Sequence, residues 1–137
     1  MSTRLVTIEK SRIELHVATV ARQIPELVAA YLFGSALGPC RPDSDIDLGI
    51  ILRPGEGTRA DDRLEALLDR MDGHPFHVSL LRVESAFAFH VVQSGHVVYS
   101  ADEVRRLDFL FHCALQHFYD LPHYASALDA LRERVGF

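Results

Sequence analysis

A chain of 137 residues, 48% hydrophobic and 24% charged, can bury a real core and is not disordered by composition. Its formal net charge of −5 excludes an electrostatically driven grip on duplex DNA or RNA, though not a nucleotide held through a metal ion. Cys40 and Cys113 belong to no Cys/His motif and read as reduced thiols, and no run has the length of a signal peptide or membrane span, so the expected address is the cytoplasm.

Taken in order, Ile13, Val17, Val20, Ala21 and Ile24 recur at helical spacing, which predicts an amphipathic helix from about Thr7 to Gln23, stopped by Pro25. Leu27 to Phe33 is a continuous apolar run between Pro25 and Gly34 and reads as a buried strand. Gly34 to Ser44 is a turn region with room for a short helical turn after Ser35. Asp45 to Leu52 is the second strand, closed by Arg53-Pro54-Gly55, and a polar loop follows. Leu64, Leu67, Leu68 and Met71 predict a helix from about Thr58 to Met71, and Asp72-Gly73-His74-Pro75 breaks it. Phe76 to Leu81 alternates as a third strand.

Glu84 to Gln93 reads as a short helix ended by Ser94-Gly95, and His96 to Tyr99 as a fourth strand or extended segment. Ser100 and Glu103 have capping-box spacing. The helix they open is expected to turn Val104, Leu107, Phe111, Leu115 and Phe118 inward until Pro122 breaks it. Tyr124, Leu128, Leu131 and Val135 make a last helical stripe. No repeat or linker divides the chain. The fold class is α/β (α+β): one domain over residues 1–137, with a small mixed sheet of three to four strands and helices packed on it over about 1–100, then C-terminal helices over about 101–137.

The chemistry concentrates between Leu32 and Leu52. On a strand, Asp45 and Asp47 point the same way, roughly 7 Å apart. Two such carboxylates repel, and a hard divalent cation with open positions for phosphate relieves them, which suits Mg²⁺. Gly34 lets a phosphate approach the backbone, and the Ser35 hydroxyl adds a donor. Gly-Ser alone is usually just a turn, and Asp-x-Asp alone a solvated strand end. Together, with an apolar strand before and an aliphatic strand after, they are far more specific.

Gly34-Ser35, followed by Pro42-Asp43-Ser44-Asp45-Ile46-Asp47-Leu48, resembles the signature of the polymerase-beta-like nucleotidyltransferase superfamily. The short length, the element order through about Tyr99, and the Gln93-Ser94-Gly95-His96-Val97-Val98-Tyr99 ending are similar to its minimal, MNT-type branch. Those proteins are antitoxins of HEPN-type toxins encoded beside them. The resemblance implies Mg²⁺-dependent transfer of AMP from ATP to a tyrosine hydroxyl of the toxin. It assigns Asp45 and Asp47 as catalytic metal ligands, and Gly34, Ser35, Arg41 and Ser44 to the nucleotide phosphates.

The chain departs from that pattern in two places. The family places a third carboxylate on the strand beside Asp-x-Asp, and here that strand offers only His77 or Ser79; Asp72 and Glu84 lie outside it. The family also often has Arg just after the motif serine, where this chain has Ala36 and Leu37, leaving Arg41 as the basic residue of the turn. Loss of an acid that holds the catalytic metal slows chemistry more than it weakens binding. A catalytically degenerate antitoxin that works by covering its toxin is therefore the alternative. A small-molecule nucleotidyltransferase is a weaker one, since about 38 residues follow Tyr99 and leave little for an acceptor domain. No membrane partner is expected, and homo- or hetero-oligomers stay open.

Elsewhere the structural readings prevail. Phe87, Phe89, Phe109, Phe111 and Phe118 read as core or interface, Cys113 as buried, and His112 with His117 as too poorly spaced for a metal pair. Tyr119, His123 and Tyr124 around Pro122 read as packing between helices, or else as an aromatic patch for a partner.

Overall fold

The structure is a computed structural model that describes residues 4–55, 59–118 and 132–134. Helix α1 spans Lys10–Ala21 and strand β1 spans Leu27–Phe33. A 3-10 turn over Gly34–Leu37 leads towards β2, Ile46–Leu52. Then come α2 (Ala60–Leu68), β3 (Arg70–Met71), β4 (His74–Leu80), α3 (Ala86–Ser94), β5 (His96–Ser100) and α4 (Glu103–Phe118).

The strands form one mixed sheet in the order β3-β4-β2-β1-β5. β1 runs antiparallel to both β2 and β5, whereas β2 and β4 are parallel and joined through α2. Interior strand β1 is buried along nearly its whole length because helices cover both faces. On one face α1 and α2 seal a core of Ile13, Val17, Leu32, Ile46, Leu48, Ile50, Leu64 and Leu68. On the other, α3 and α4 pack Val91, Leu110, Cys113 and Ala114 against Val28, Ala29, Tyr31 and Ile51.

Among the described residues the sheet has five strands, not three to four. The additional one is β3, which pairs with β4 through Met71↔His74 and Arg70↔Pro75. Asp72 and Gly73 both have positive φ, 54° and 83°, the geometry of a two-residue hairpin turn. The expected helix over Thr58 to Met71 is therefore shorter. It ends at Leu68, Asp69 turns at φ 53°, and Met71 belongs to a strand. Beyond β3, the Glu65 carboxylate accepts the Val78 backbone N–H at 2.7 Å, so α2 closes an otherwise open edge amide of β4.

Helix α4 is rotated from its expected face. Leu110, Cys113 and Ala114 are buried, while Val104 is 78% exposed. Two causes lie on the inner face. Small Cys113 and Ala114 let α4 approach the sheet closely, and Arg106 reaches in to donate to the Tyr31 hydroxyl at 2.8 Å. Burial pushes the Cys113 thiol up to about 12, so it is an inert core residue.

The Ser100 capping box does not form. Asp102 caps the helix instead, its Oδ1 accepting the Arg105 N–H at 3.1 Å. Ser100 stays in β5 and donates to the Glu103 carboxylate at 2.6 Å. The Arg106 guanidinium, helped by that hydroxyl, holds Glu103 down to about 2. The Phe118 side chain and all of Tyr119, Pro122, His123, Tyr124, Leu128, Leu131 and Val135 lie outside the described residues.

Gly49 shows how tightly the second face is closed. A Cβ there would sit 2.9 Å from Leu81 Cδ2 and 3.0 Å from Val91 Cγ1. Gly49→Ala is expected to lower unfolding free energy by about 1–3 kcal/mol through overpacking. A denaturant midpoint equal to wild type would show that this layer has slack.

Candidate active site

The end of β1 and the start of β2 are neighbours because the two strands are antiparallel, with Phe33 opposite Asp47. Directly opposed residues share a face. Asp47 therefore emerges beside the chain reversal that begins at Gly34. That glycine has φ +77°, and a Cβ on it would lie 2.7 Å from Asp47 Oδ2. The turn and the carboxylate are thus packed together at a distance that glycine alone permits.

Asp47 is only 25% exposed. Burial pushes its carboxyl above the ordinary value, Asp45 pushes it further, and nearby His77 partly offsets both. Asp45 is exposed one residue before β2. This electrostatic strain is what a divalent cation would relieve, and two carboxylates are a fitting hard-oxygen donor pair for Mg²⁺ with phosphate completing the sphere. Among the described residues no preassembled trio of His, Cys, Asp or Glu completes such a site without a ligand.

The other expected residues divide. Ser35 is exposed in the 3-10 turn, and among the described residues its hydroxyl has no hydrogen-bond partner. Its carbonyl accepts the Gly38 N–H at 3.3 Å. Arg41 is on the rim, with its Nε 3.2 Å from Asp43 Oδ1. Ser44 shapes the loop: its N–H donates to the Arg41 carbonyl at 3.0 Å, and its own carbonyl accepts from His74 Nδ1 at 2.8 Å. Register separates the two third-acid positions. His77 lies beside Asp47, its Nδ1 3.5 Å from Asp47 Oδ1, while Ser79 pairs with Gly49 two residues further along.

Two further residues support the site. Buried His74, within the expected breaker Asp72-Gly73-His74-Pro75, anchors the segment that presents Asp45. Phe87 at the start of α3 meets Phe33 edge-to-face at 5.2 Å and stays partly exposed, giving the strand end an aromatic border. Neither carries a motif. A proline after His74 masks its strand, and the Phe33–Phe87 contact joins residues far apart in the chain.

The sequence model of the polymerase beta nucleotidyltransferase domain matches residues 16–104, well over half of the chain. The chain is a member of the polymerase beta nucleotidyltransferase family. The matched span runs from α1 into α4 and contains every residue of the site just described. Several solved structures share this nucleotidyltransferase fold. A chain of the complex between tri-AMPylated HEPN toxin of Shewanella oneidensis and MNT antitoxin superposes with a TM-score of 0.57 at 19% identity, over 90% of this chain and 99% of that one. A chain of a toxin–antitoxin MntA–HpeT mutant gives 0.61 at 17% identity, over 90% and 98%. A chain of a toxin–antitoxin structure with AMP-PNP gives 0.60 at 18% identity, over 86% and 97%. Curated protein sequences give no significant match. Among the described residues, no helix of this nucleotidyltransferase is long and apolar enough to cross a membrane.

Proposed function

We propose that this nucleotidyltransferase is the MNT-type antitoxin of a HEPN-type toxin encoded nearby, and that it neutralises the toxin by moving AMP from ATP to a tyrosine hydroxyl. The observation that carries the reading is the Gly34 turn lying against the Asp47 carboxylate, with Asp45 beside it. The fold shared with chains of HEPN–MNT complexes supports it, as does the near-complete coverage of those chains.

In this reading Asp45 and Asp47 would hold Mg²⁺, which when bound would supply Lewis-acid neutralisation of the triphosphate. Gly34 leaves room for the β and γ phosphates at the backbone, and the Ser35 hydroxyl, without a partner among the described residues, donates to one of their oxygens. Arg41 exchanges its solvent-exposed bond to Asp43 for phosphate at little cost, since exposed ion pairs are weak. Ser44 acts through the loop's shape. The toxin's tyrosine oxygen bonds to the α phosphorus as the bond to the pyrophosphate oxygen breaks, and the phenolic proton passes to water.

A second reading is favoured by one observation: an imidazole, not a carboxylate, adjoins Asp47 on β4. In that reading the chain silences its toxin by covering it. One assay separates the two. Purified chain, labelled ATP, Mg²⁺ and the neighbouring toxin are incubated with wild type or with Asp45→Ala/Asp47→Ala. Label on the toxin that disappears in the double variant is the expected result. Absence of label with wild type, together with full neutralisation by the double variant, would establish the covering reading instead.

A further inference from the structure

We propose that His77 is a direct metal ligand of this site and turns its preference from Mg²⁺ towards Mn²⁺. The inference rests on reading Asp45 and Asp47 as metal ligands, and it concerns which ion they hold and through which third atom.

Register carries the first step. In parallel strands, paired residues project side by side, and His77 is the residue paired with Asp47. The second step is distance. His77 Nδ1 lies 3.5 Å from Asp47 Oδ1. Two ligands at right angles on an ion with bonds of about 2.1 Å are separated by roughly 3 Å. A small rotation of either side chain brings both atoms onto one ion. The third step is availability. The imidazole is 61% exposed, and Asp47 is its one polar contact among the described residues. As a ligand the imidazole would bind through the Nδ1 lone pair, with the proton carried on Nε2.

Charge and donor chemistry then select the ion. Three carboxylates would present −3 to the metals, whereas Asp45, Asp47 and a neutral imidazole present −2, matched by a single divalent cation. Mg²⁺ binds through hard oxygen donors, sheds water reluctantly and gains little from imidazole. Mn²⁺ accepts carboxylate and phosphate oxygens and, as a first-row transition ion, also takes a nitrogen donor. The alternative is an exposed His–Asp pair that is indifferent to metals.

The test uses the full chain with Mn²⁺ and tripolyphosphate, so that no base nitrogen contributes. Pulsed electron paramagnetic resonance is expected to show ¹⁴N coupling from directly bound imidazole in wild type, lost in both His77→Asp and His77→Gln. His77→Asp is also expected to lower the Mn²⁺/Mg²⁺ affinity ratio at least about tenfold, since even an outer partner of a metal ligand is worth about 10–100-fold in affinity. Mn²⁺ binding that Asp47→Asn abolishes but that shows no ¹⁴N coupling would overturn the role of His77 and leave the carboxylate reading standing. Mn²⁺ binding unaltered by Asp47→Asn would overturn both.

Discussion

Asp47→Asn is expected to reduce AMP transfer by about three orders of magnitude while leaving the protein as stable as wild type, or more so, at neutral pH. On the proposed reading the kinetic loss follows from removing one of two anionic ligands of a Lewis-acid ion, whose contribution would be several kcal/mol at about 1.4 kcal/mol per tenfold. The stability effect has the opposite sign because folding disfavours the ionised carboxylate. Burial and Asp45 raise the folded-state pKa of Asp47 above its unfolded value. A group shifted upward adds stability below the unfolded pKa and loses that contribution as pH rises through the folded one. Wild type therefore gives up stability between the ordinary Asp range and the raised value, and the amide does not.

Thermal melts of both proteins from about pH 4 to 7 test this. The variant's advantage grows with pH and shrinks when divalent cation and nucleotide are added to wild type. A variant less stable than wild type across that range would mean that the carboxylate is held by favourable contacts and not under electrostatic strain. Full transfer activity in the variant would remove Asp47 from the metal site.

The same pair of forces explains what could be read from the sequence. β1 is bounded as expected, Leu27 to Phe33, because a continuous apolar run between Pro25 and Gly34 has few alternatives. The Gly34-Ser35 turn and the Asp45-x-Asp47 strand start are legible as local elements, and the structure packs Gly34 against Asp47. What failed was non-local. Val104, Leu107 and Phe111 have a good helical stripe, yet α4 turns Leu110, Cys113 and Ala114 inward. Periodicity finds an apolar face; it does not show that small residues and an Arg106–Tyr31 bond make another face fit better.

Alternation left His77 and Ser79 equal, since both point away from Phe76 and Val78. Only the β2–β4 register, which depends on the α2 crossover, sets His77 beside Asp47. The short β3 is different, because its signal was present. Asp72-Gly73 is a strong two-residue hairpin sequence as well as a helix breaker, and the hairpin sense is the one that accounts for β3 and for the position of His74.

Gly34→Ala is the other substitution with a large expected effect, and it tests whether the turn and the carboxylate act as one unit. Two costs arise together. The φ of +77° strains any residue with a Cβ, at about 1 kcal/mol or more, and the new methyl meets Asp47 Oδ2 at 2.7 Å. Asp47 is short and its strand is buried, so the carboxylate must rotate out of the position it shares with His77. The variant is expected to melt lower than wild type and to lose transfer about a hundredfold or more, the penalty of misplacing a reacting group by about 1 Å. It also crowds the phosphate path, so ATP affinity falls with it.

A double-mutant cycle isolates the coupling. If Gly34→Ala acts by displacing Asp47, its effect on transfer nearly vanishes in the Asp47→Asn background, while its effect on melting persists in part because φ is unchanged. Strict additivity of the two activity losses would separate the turn from the carboxylate, and would mean that Gly34 serves the phosphates alone.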